Sequence, residues 1–367
     1  MNTNHSPAQP LDPLLLAPFE GCQLVGVRRL GHCIDLPSLT LLHAGPPYRD
    51  QSEIPLPVMY SAVQSMLHHG IATDATEAQR FLRDGTVAFK SAQDHQVVTP
   101  LAQTMGRLSW VFVVTDGRHT HYAPCVEGPA PALRFGSADA NCLRKLAEIE
   151  SWLPDLDQHL GQHPVDMQRI IEAGLLGGDE CHVMTRASQT AFAEALLGHG
   201  KTSASEPWFV LPVLMGTCAV ALARAGTWHS MGSNGVEFGY KWHGENKWER
   251  LTAPVLSALR DEPIPKTALP AIGDSAVIDF AGLGAQALHM SPDMQTIWQQ
   301  YLPDRSWPDR RALIDPATGV VCPRQAKSHG KSPSIHLAMV DSAGSGQSLG
   351  LGVCEVVLSD RLAMVIR

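Results

Sequence analysis

The sequence predicts an α+β protein, with mixed-sheet regions at both ends and a helical domain between them. Three observations carry this expectation. Residues 108–115 form a strand-like apolar run, residues 138–226 keep a nearly unbroken helical periodicity, and strand patterning returns after Gly226. They divide the 367 residues into an α/β segment (1–137, with 1–13 as a disordered lead), a helical segment (138–226) and an α+β segment with glycine-rich loops (227–367).

Along the chain, Leu24, Val25 and Val27 mark a strand at 22–29, and Leu39, Leu41 and Leu42 mark another at 38–43. Gly45-Pro46-Pro47 stops the second. Helical spacing follows at 59–69 and again at 76–82, where Asp74 and Glu77 stand at capping-box distance. Leu-Ser-Trp-Val-Phe-Val-Val-Thr (108–115) reads as a buried strand, turned back at Asp116-Gly117 onto 119–124. In the middle segment Leu143, Leu146, Ile149, Trp152 and Leu153 mark one helix. Asp166 is placed to cap the next, whose apolar face is Met167, Ile170, Ile171 and Leu175. Gly177-Gly178 breaks the rhythm, and Met184, Ala187, Ala191 and Ala195 resume it until Gly198. The apolar run at 207–223 contains Pro212 and Gly216 and leads into Arg224, so it reads as a buried helix rather than a membrane span. Its length also prompts an expectation of homodimerisation. Strands at 236–242 and 247–251 flank a turn at His243–Asn246. A proline-rich connection (262–270) then leads to closing strands at 334–340, 353–358 and 362–366.

Charge narrows the partners. The formal net charge is −8 and no lysine or arginine run is present, so the electrostatic footprint of a nucleic-acid or anionic-membrane binder is missing. A small anionic substrate stays compatible, because local arginines and helix N-termini bind anions whatever the total. Eight cysteines without C-x-x-C spacing argue against a zinc ribbon or a disulfide framework and fit reduced thiols in a cytoplasm. No secretory signal is visible, and neither a cofactor nor a metal is expected.

Chemistry-bearing residues concentrate in Leu-Leu-Gly-Gly-Asp-Glu-Cys-His-Val-Met-Thr-Arg (175–186), which offers Asp179, Glu180 and His182 as candidate catalytic groups. Acids after a Gly-Gly break also serve simply as helix caps, and both readings stay open. Three glycine-rich stretches share the character of this one. They are 231–239 with Asn234, Gly235 and Glu237, then 272–275 with Asp274 and Ser275, running on to Gly282 and Gly284, and 342–348 with Gly344, Gly346 and Gln347. Glycines let backbone N–H groups approach a ligand, and four such stretches together suggest one pocket for a small anionic or amide molecule. Other motifs fail on spacing. Gly200-Lys201-Thr202 lacks the first glycine of a phosphate loop, which would fall at Ala195. No G-x-S-x-G elbow is present. Glu180 and His182, two apart, do not share a helical face for a metal, even with Asp179 and His229 added. Cys181 beside His182 reads as a buried thiol rather than a nucleophile.

Gly178-Asp-Glu-x-His182, Asn234-Gly-Val-Glu-Phe-Gly239, Gly273-Asp-Ser275 with Gly282 and Gly284, and Gly344-x-Gly-Gln347 resemble, in order and spacing, the YahG/YlbE-like family of proteins with a domain of unknown function. Ala44-Gly-Pro-Pro47 and Leu133-Arg-Phe-Gly136 share that style. One branch of the family is a subunit of oxamate carbamoyltransferase, which exchanges a carbamoyl group between carbamoyl phosphate and oxamate. The resemblance implies carbamoyl or amide transfer on a small dicarbonyl substrate, with other enzyme subunits as partners. Under it Asp179 and Glu180 orient the amide or act as base, and His182 is acid/base or electrophilic donor. Asn234 and Glu237 bind the amide, while Asp274, Ser275 and the 344–347 loop hold the anionic end. Val340-Asp341 stands where a His-Lys pair is expected, which removes a phosphate contact. Amide or cyclic-imide hydrolysis, and a non-catalytic assembly role, therefore remain alternatives.

Overall fold

Val111 to Val114 are all buried, which is what an uninterrupted apolar run of β-branched and aromatic residues requires. In the computed structural model, which describes residues 11–126, 128–196, 210–258, 267–298 and 311–358, this run is the second strand of a four-stranded sheet. Its order is β6 (Thr120–Pro124), β5 (Trp110–Thr115), β1 (Gln23–Arg29) and β7 (Val165–Asp166), antiparallel throughout. The expected hairpin is present: Thr115 pairs with Thr120, and Asp116 accepts from the Arg118 and His119 backbone inside the turn.

A second sheet is ordered β3 (Ala88–Ser91), β2 (Thr40–His43) and β4 (Met105–Gly106), with β2 and β3 parallel. The third is ordered β10 (Glu249–Thr252), β9 (Glu237–Trp242), β8 (Trp228–Asn234) and β12 (Ile272–Gly273). The fourth holds β11 (Ser257–Ala258), β14 (Ser348–Glu355) and β13 (Ser334–Val340).

Two single-turn helices, α1 (Pro13–Leu16) and α2 (Leu30–Cys33), precede α3 (Leu56–His68) and α4 (Ala75–Arg83). Asp74 caps α4 by accepting from Glu77 N, and the Glu77 carboxylate reaches back to Thr73 N. The middle of the chain gives α5 (Asn141–Glu150), α6 (Leu153–Gln162), α7 (Met167–Leu176), α8 (Arg186–Ala195) and α9 (Val210–Ala225). Asp166 caps α7 through Gln168 N and Arg169 N, as its position predicts. The C-terminal helices are short: α10 (Ala276–Phe280), α11 (Pro292–Trp298) and α12 (Pro323–His329).

Four expectations are corrected. The single helix marked by Leu143 to Leu153 is two, because Pro154 near the start of α6 has no N–H for a continuing helix. Residues 231–234 are not loop but the end of β8, and the glycine-rich approach 348–352 belongs to β14 rather than preceding it. Pro13, expected in the lead, instead begins α1, which Asp12 caps by accepting from Leu14 N.

The apolar segment behind the homodimer expectation is covered by its own chain. From Pro212 to Leu222 α9 is buried, packed against β5, β6, β8 and α10. No helix among the described residues is long and apolar enough to cross a membrane. The largest core cluster runs from Leu15 to Val356 and draws on all three sequence segments. The Gly200-Lys201-Thr202 stretch, most of the 262–270 connection and the 362–366 strand lie outside the described residues.

Candidate functional site

The turn after α7 is built by its own carboxylates. Gly178 takes the left-handed conformation that lets the chain reverse, and Cys181 does so as well (φ +66°). Asp179 accepts from Ser188 N and Ser188 Oγ, both at 2.8 Å, so it ties the turn to the first turn of α8. Glu180 accepts from three backbone N–H groups, those of His182 (3.0 Å), Val183 and Met184 (both 2.6 Å). Each carboxylate thus neutralises orphan donors that the break leaves behind. The cap reading of these acids holds as local structure, and it does not exhaust what they do.

The turn delivers Glu180 and His182 to two residues the sequence reading did not single out. His182 Nδ1 lies 3.0 Å from Asp279 Oδ2, close but not aligned for a hydrogen bond, so the contact acts as a charge pair. His336, from the middle of β13, places Nδ1 3.9 Å from Glu180 Oε2, and its ring lies 6.3 Å from that of His182. All four side chains are buried. Burial drives the Glu180 carboxyl up to about 7, against the nearby His182 charge and the donated backbone hydrogen bonds. For His182 burial works downward, but the Asp279 and Glu180 charges outweigh it and its pKa is raised. Asp279 is also raised by burial, opposed by His182 and by the hydrogen bond from Ala285 N. A carboxyl raised to about 7 and an imidazole raised above its ordinary value therefore share one buried cluster, a pairing that general acid–base chemistry can use.

Gly284 belongs to the same centre. Its N–H donates to Glu180 O (2.7 Å), and a Cβ there would overlap Asp279 Oδ1. Cys181 is fully buried and its thiol is raised far above its ordinary range by burial and the adjacent Asp179 and Glu180, so it is not a nucleophile. Among the described residues, no group of three or more His, Cys, Asp or Glu is arranged to hold a metal ion. His229 is exposed on β8, with Nδ1 2.7 Å from Ser230 Oγ.

Asp274 forms a second buried node. Oδ1 accepts from Gly45 N (2.8 Å) and Gln93 Nε2 (2.7 Å), and Oδ2 from Thr99 N (2.9 Å) and Thr99 Oγ1 (3.1 Å). Burial pushes this carboxyl up to about 7 in spite of those donors. Gly232 packs so closely on Asp274 Oδ1 that any side chain at 232 would displace it. This explains why β8 is built from glycine and serine where a strand ordinarily carries β-branched residues. Ser275, also buried, follows at the start of α10, a helix of five residues that carries Asp279 near its other end.

Asn234 ends β8, and Gly235 and Val236 make the turn to β9. Asn234 Oδ1 accepts from Val236 N and Glu237 N, its Nδ2 donates to Pro46 O, and Gly235 takes φ +87°. Glu237 is held between Arg49 and Arg250; burial alone would raise it, but the two guanidinium groups keep its pKa below the ordinary value. Asn234 and Asp274 thus meet the same segment, 45–46, from the end of β8 and from the residue that follows β12. Gly344 and Gly346 lie elsewhere, against Tyr60 and Ser137 respectively, and Gln347 is exposed. The structure groups Glu180 and His182 with Asp279 and His336, and Asn234 with Asp274. It gives the 344–347 loop different neighbours.

Comparison with known proteins follows the same stretch of chain. The family described as oxamate carbamoyltransferase subunit AllG matches residues 87–275, a span that includes Glu180, His182, Asn234, Glu237 and Asp274. The oxamate carbamoyltransferase subunit AllG of Escherichia coli K12 is 30% identical over 287 residues, covering 69% of this chain and 67% of that protein. The uncharacterized protein YahG of the same organism is 26% identical over 290 residues, covering 69% of this chain but only 59% of YahG. In fold, the chain is similar to a conserved protein of unknown function from Enterococcus faecalis V583, with TM-score 0.82, 20% identity and coverage of 97% and 96%. Matched over half its length by the family model and by a relative at 30% identity, the chain belongs to the family of the oxamate carbamoyltransferase subunit AllG.

Proposed function

We propose that the chain is one subunit of a carbamoyl- or amide-transferring enzyme that acts on a small anionic amide such as oxamate, with Glu180 and His182 as its proton-handling groups. The observation that carries this reading is the pairing of a glutamate raised to about 7 with a histidine raised by Asp279, within the matched part of the family. When an amide nitrogen accepts a carbamoyl group, a C–N bond forms, the donor's leaving group departs and the nitrogen sheds a proton. A buried carboxylate titrating near neutrality is suited to take that proton. Asp279 and His336 serve as positioning residues for the pair. Asp274, whose acceptor positions are filled by Gly45, Gln93 and Thr99, is assigned to scaffolding rather than to the anionic end of the substrate.

The test is phosphate release from carbamoyl phosphate and oxamate by the chain co-purified with its partner subunits. Wild type should turn over, and Glu180→Gln and His182→Ala should each lower kcat by roughly a hundredfold or more. Variants that match wild type would remove the catalytic roles, and no turnover by the assembly would remove the transferase. A second reading is favoured by one observation: Asp179, Asn234, Glu237 and Asp274 all hold bonds within their own chain. Under it the chain is an assembly subunit, and His182→Ala leaves both co-purification and turnover unchanged.

A further inference from the structure

The cluster of Glu180, His182, Asp279 and His336 is closed to solvent: three of its members are fully buried, and His182 is 4% exposed. Chemistry on a substrate there requires one wall to move, and the walls are not equally held. Cys181 in the turn, Phe280 of α10 and Leu337 of β13 all belong to the largest hydrophobic cluster of the protein. The wall made by α11 is thinner. Met294 and Trp298, one turn apart, are its buried side chains, and the Trp298 ring lies 4.8 Å from that of His336 between centroids. Pro292, Asp293 and Thr296 on the same helix are exposed, so α11 has His336 against one side and solvent against the other. It is seated on a small separate cluster of Leu288, Met294, Trp298 and Val353, with Val183 and Met184 of the turn at the margin. The side-chain hydrogen bonds of Gln295 and Thr296 end on Leu288 O and Pro292 O, within the same short stretch, and do not tie the helix to the rest of the fold. Just before α11, Ser291 Oγ is buried without a hydrogen-bond partner among the described residues, a cost that opening would relieve by hydration.

We propose that α11 is a lid over this cluster, which swings away from the 183–184 turn and lifts Trp298 off the His336 ring to admit a small substrate. The purpose of the lid rests on the reading of Glu180 and His182 given above, whereas the motion is a property of the chain alone. Local opening is drawn from the elements with the fewest buried apolar anchors, and α11 has two where its neighbours share the main core. Closed, it keeps water from a carboxylate and imidazoles whose interactions are strongest when dry; open, it gives them a way to substrate.

The test is modification of the full-length chain by diethyl pyrocarbonate, which reacts with accessible imidazoles, with labelling of His336 located by peptide mass spectrometry. Neither substrate nor partner subunit is needed, so failure here and failure of the transferase reading are separate results. In native wild type His336 should be labelled at a rate that barely rises with sub-denaturing urea, because lifting one short helix exposes little surface. Met294→Ala should speed labelling roughly tenfold or more, and Met66→Ala, which loosens the separate cluster between α3 and α4, should leave it unchanged. No labelling of native wild type, or a rate that climbs with urea as steeply as global unfolding, overturns the proposal. So does Met294→Ala without acceleration, or equal acceleration in the two variants. The wild-type urea series decides the matter even if Met294→Ala does not fold.

Discussion

Gly45→Ala should be among the most damaging single-methyl additions in this protein, and its cost can be worked from three contacts. Gly45 sits at φ +71°, where an L side chain costs about 1–2 kcal/mol. A Cβ would overlap the Ser233 carbonyl carbon and lie 2.5 Å from Asn234 N, both backbone atoms that cannot rotate away. Relief by backbone shift costs about 1–3 kcal/mol. That shift also pulls Gly45 N from Asp274 Oδ1, leaving a buried donor or acceptor unmet for about 1–3 kcal/mol more. The sum, about 3–6 kcal/mol after allowing for overlap between the terms, is a large share of a typical stability of roughly 5–15 kcal/mol. Urea unfolding followed by far-UV circular dichroism measures it, with the slope held equal. Gly70→Ala is the control, because Gly70 has φ +65° but nothing within 4 Å of the added methyl, so only the backbone cost of about 1–2 kcal/mol remains. Equal losses in the two variants would refute the close approach of residue 45 to β8.

Glu180 should make the folded chain less stable as pH rises. Below 4.5 both folded and unfolded forms hold its proton, and between 4.5 and about 7 only the folded form does, so about 3 kcal/mol is lost across that window. Because His43, His69, His121 and His289, each lowered by burial to about 4, give the opposite slope, the quantity to measure is the difference between wild type and Glu180→Gln. Wild-type stability minus that of Glu180→Gln should fall by about 3 kcal/mol from about pH 5 to about pH 8, and a constant difference would contradict the raised value. Asp279→Asn removes the charge that raises His182, so the His182 imidazole signal should titrate at lower pH by NMR; an unchanged midpoint would show that the pair is not coupled. Glu237→Gln should lower stability in urea unfolding, chiefly through the lost pairing with the half-buried Arg250, since Arg49 is exposed and screened by solvent. That loss should narrow as pH falls through the lowered Glu237 pKa, where wild type is protonated as well.

Local signals carried most of the fold. Asp166 and Asp74 cap the helices they precede, and the Val111–Val114 run is buried in its sheet with the hairpin at Asp116-Gly117. Where the chain packs against itself, local rules misread it. Gly232 looks like a loop residue, yet it lies in a strand, because Asp274 occupies the space a Cβ would take. The Glu180 and His182 half of the buried charged cluster was legible as a dense chemical stretch. Asp279 and His336 carried a fainter mark, an acid in Ala-Val-Ile-Asp-Phe-Ala and an imidazole in Ser-Ile-His-Leu-Ala-Met. A polar side chain inside such a run is costly to bury without a partner, which is the clue that would have found both. Which partner each meets depends on residues some 100 to 150 positions away, beyond any local pattern.

The brevity of α10 has a consequence for how the two buried nodes respond to one another. Asp274, two residues ahead of it, grips segments from β2's exit and from the 93–99 stretch, and Asp279 near its far end faces the imidazole of 182. Little more than a single turn separates them, too short to bend or to absorb a slip. A displacement of the segment at residue 45 is therefore expected to reach the neighbourhood of His182, and a changed His182 titration in Gly45→Ala, followed by NMR, is the measurement that would show it.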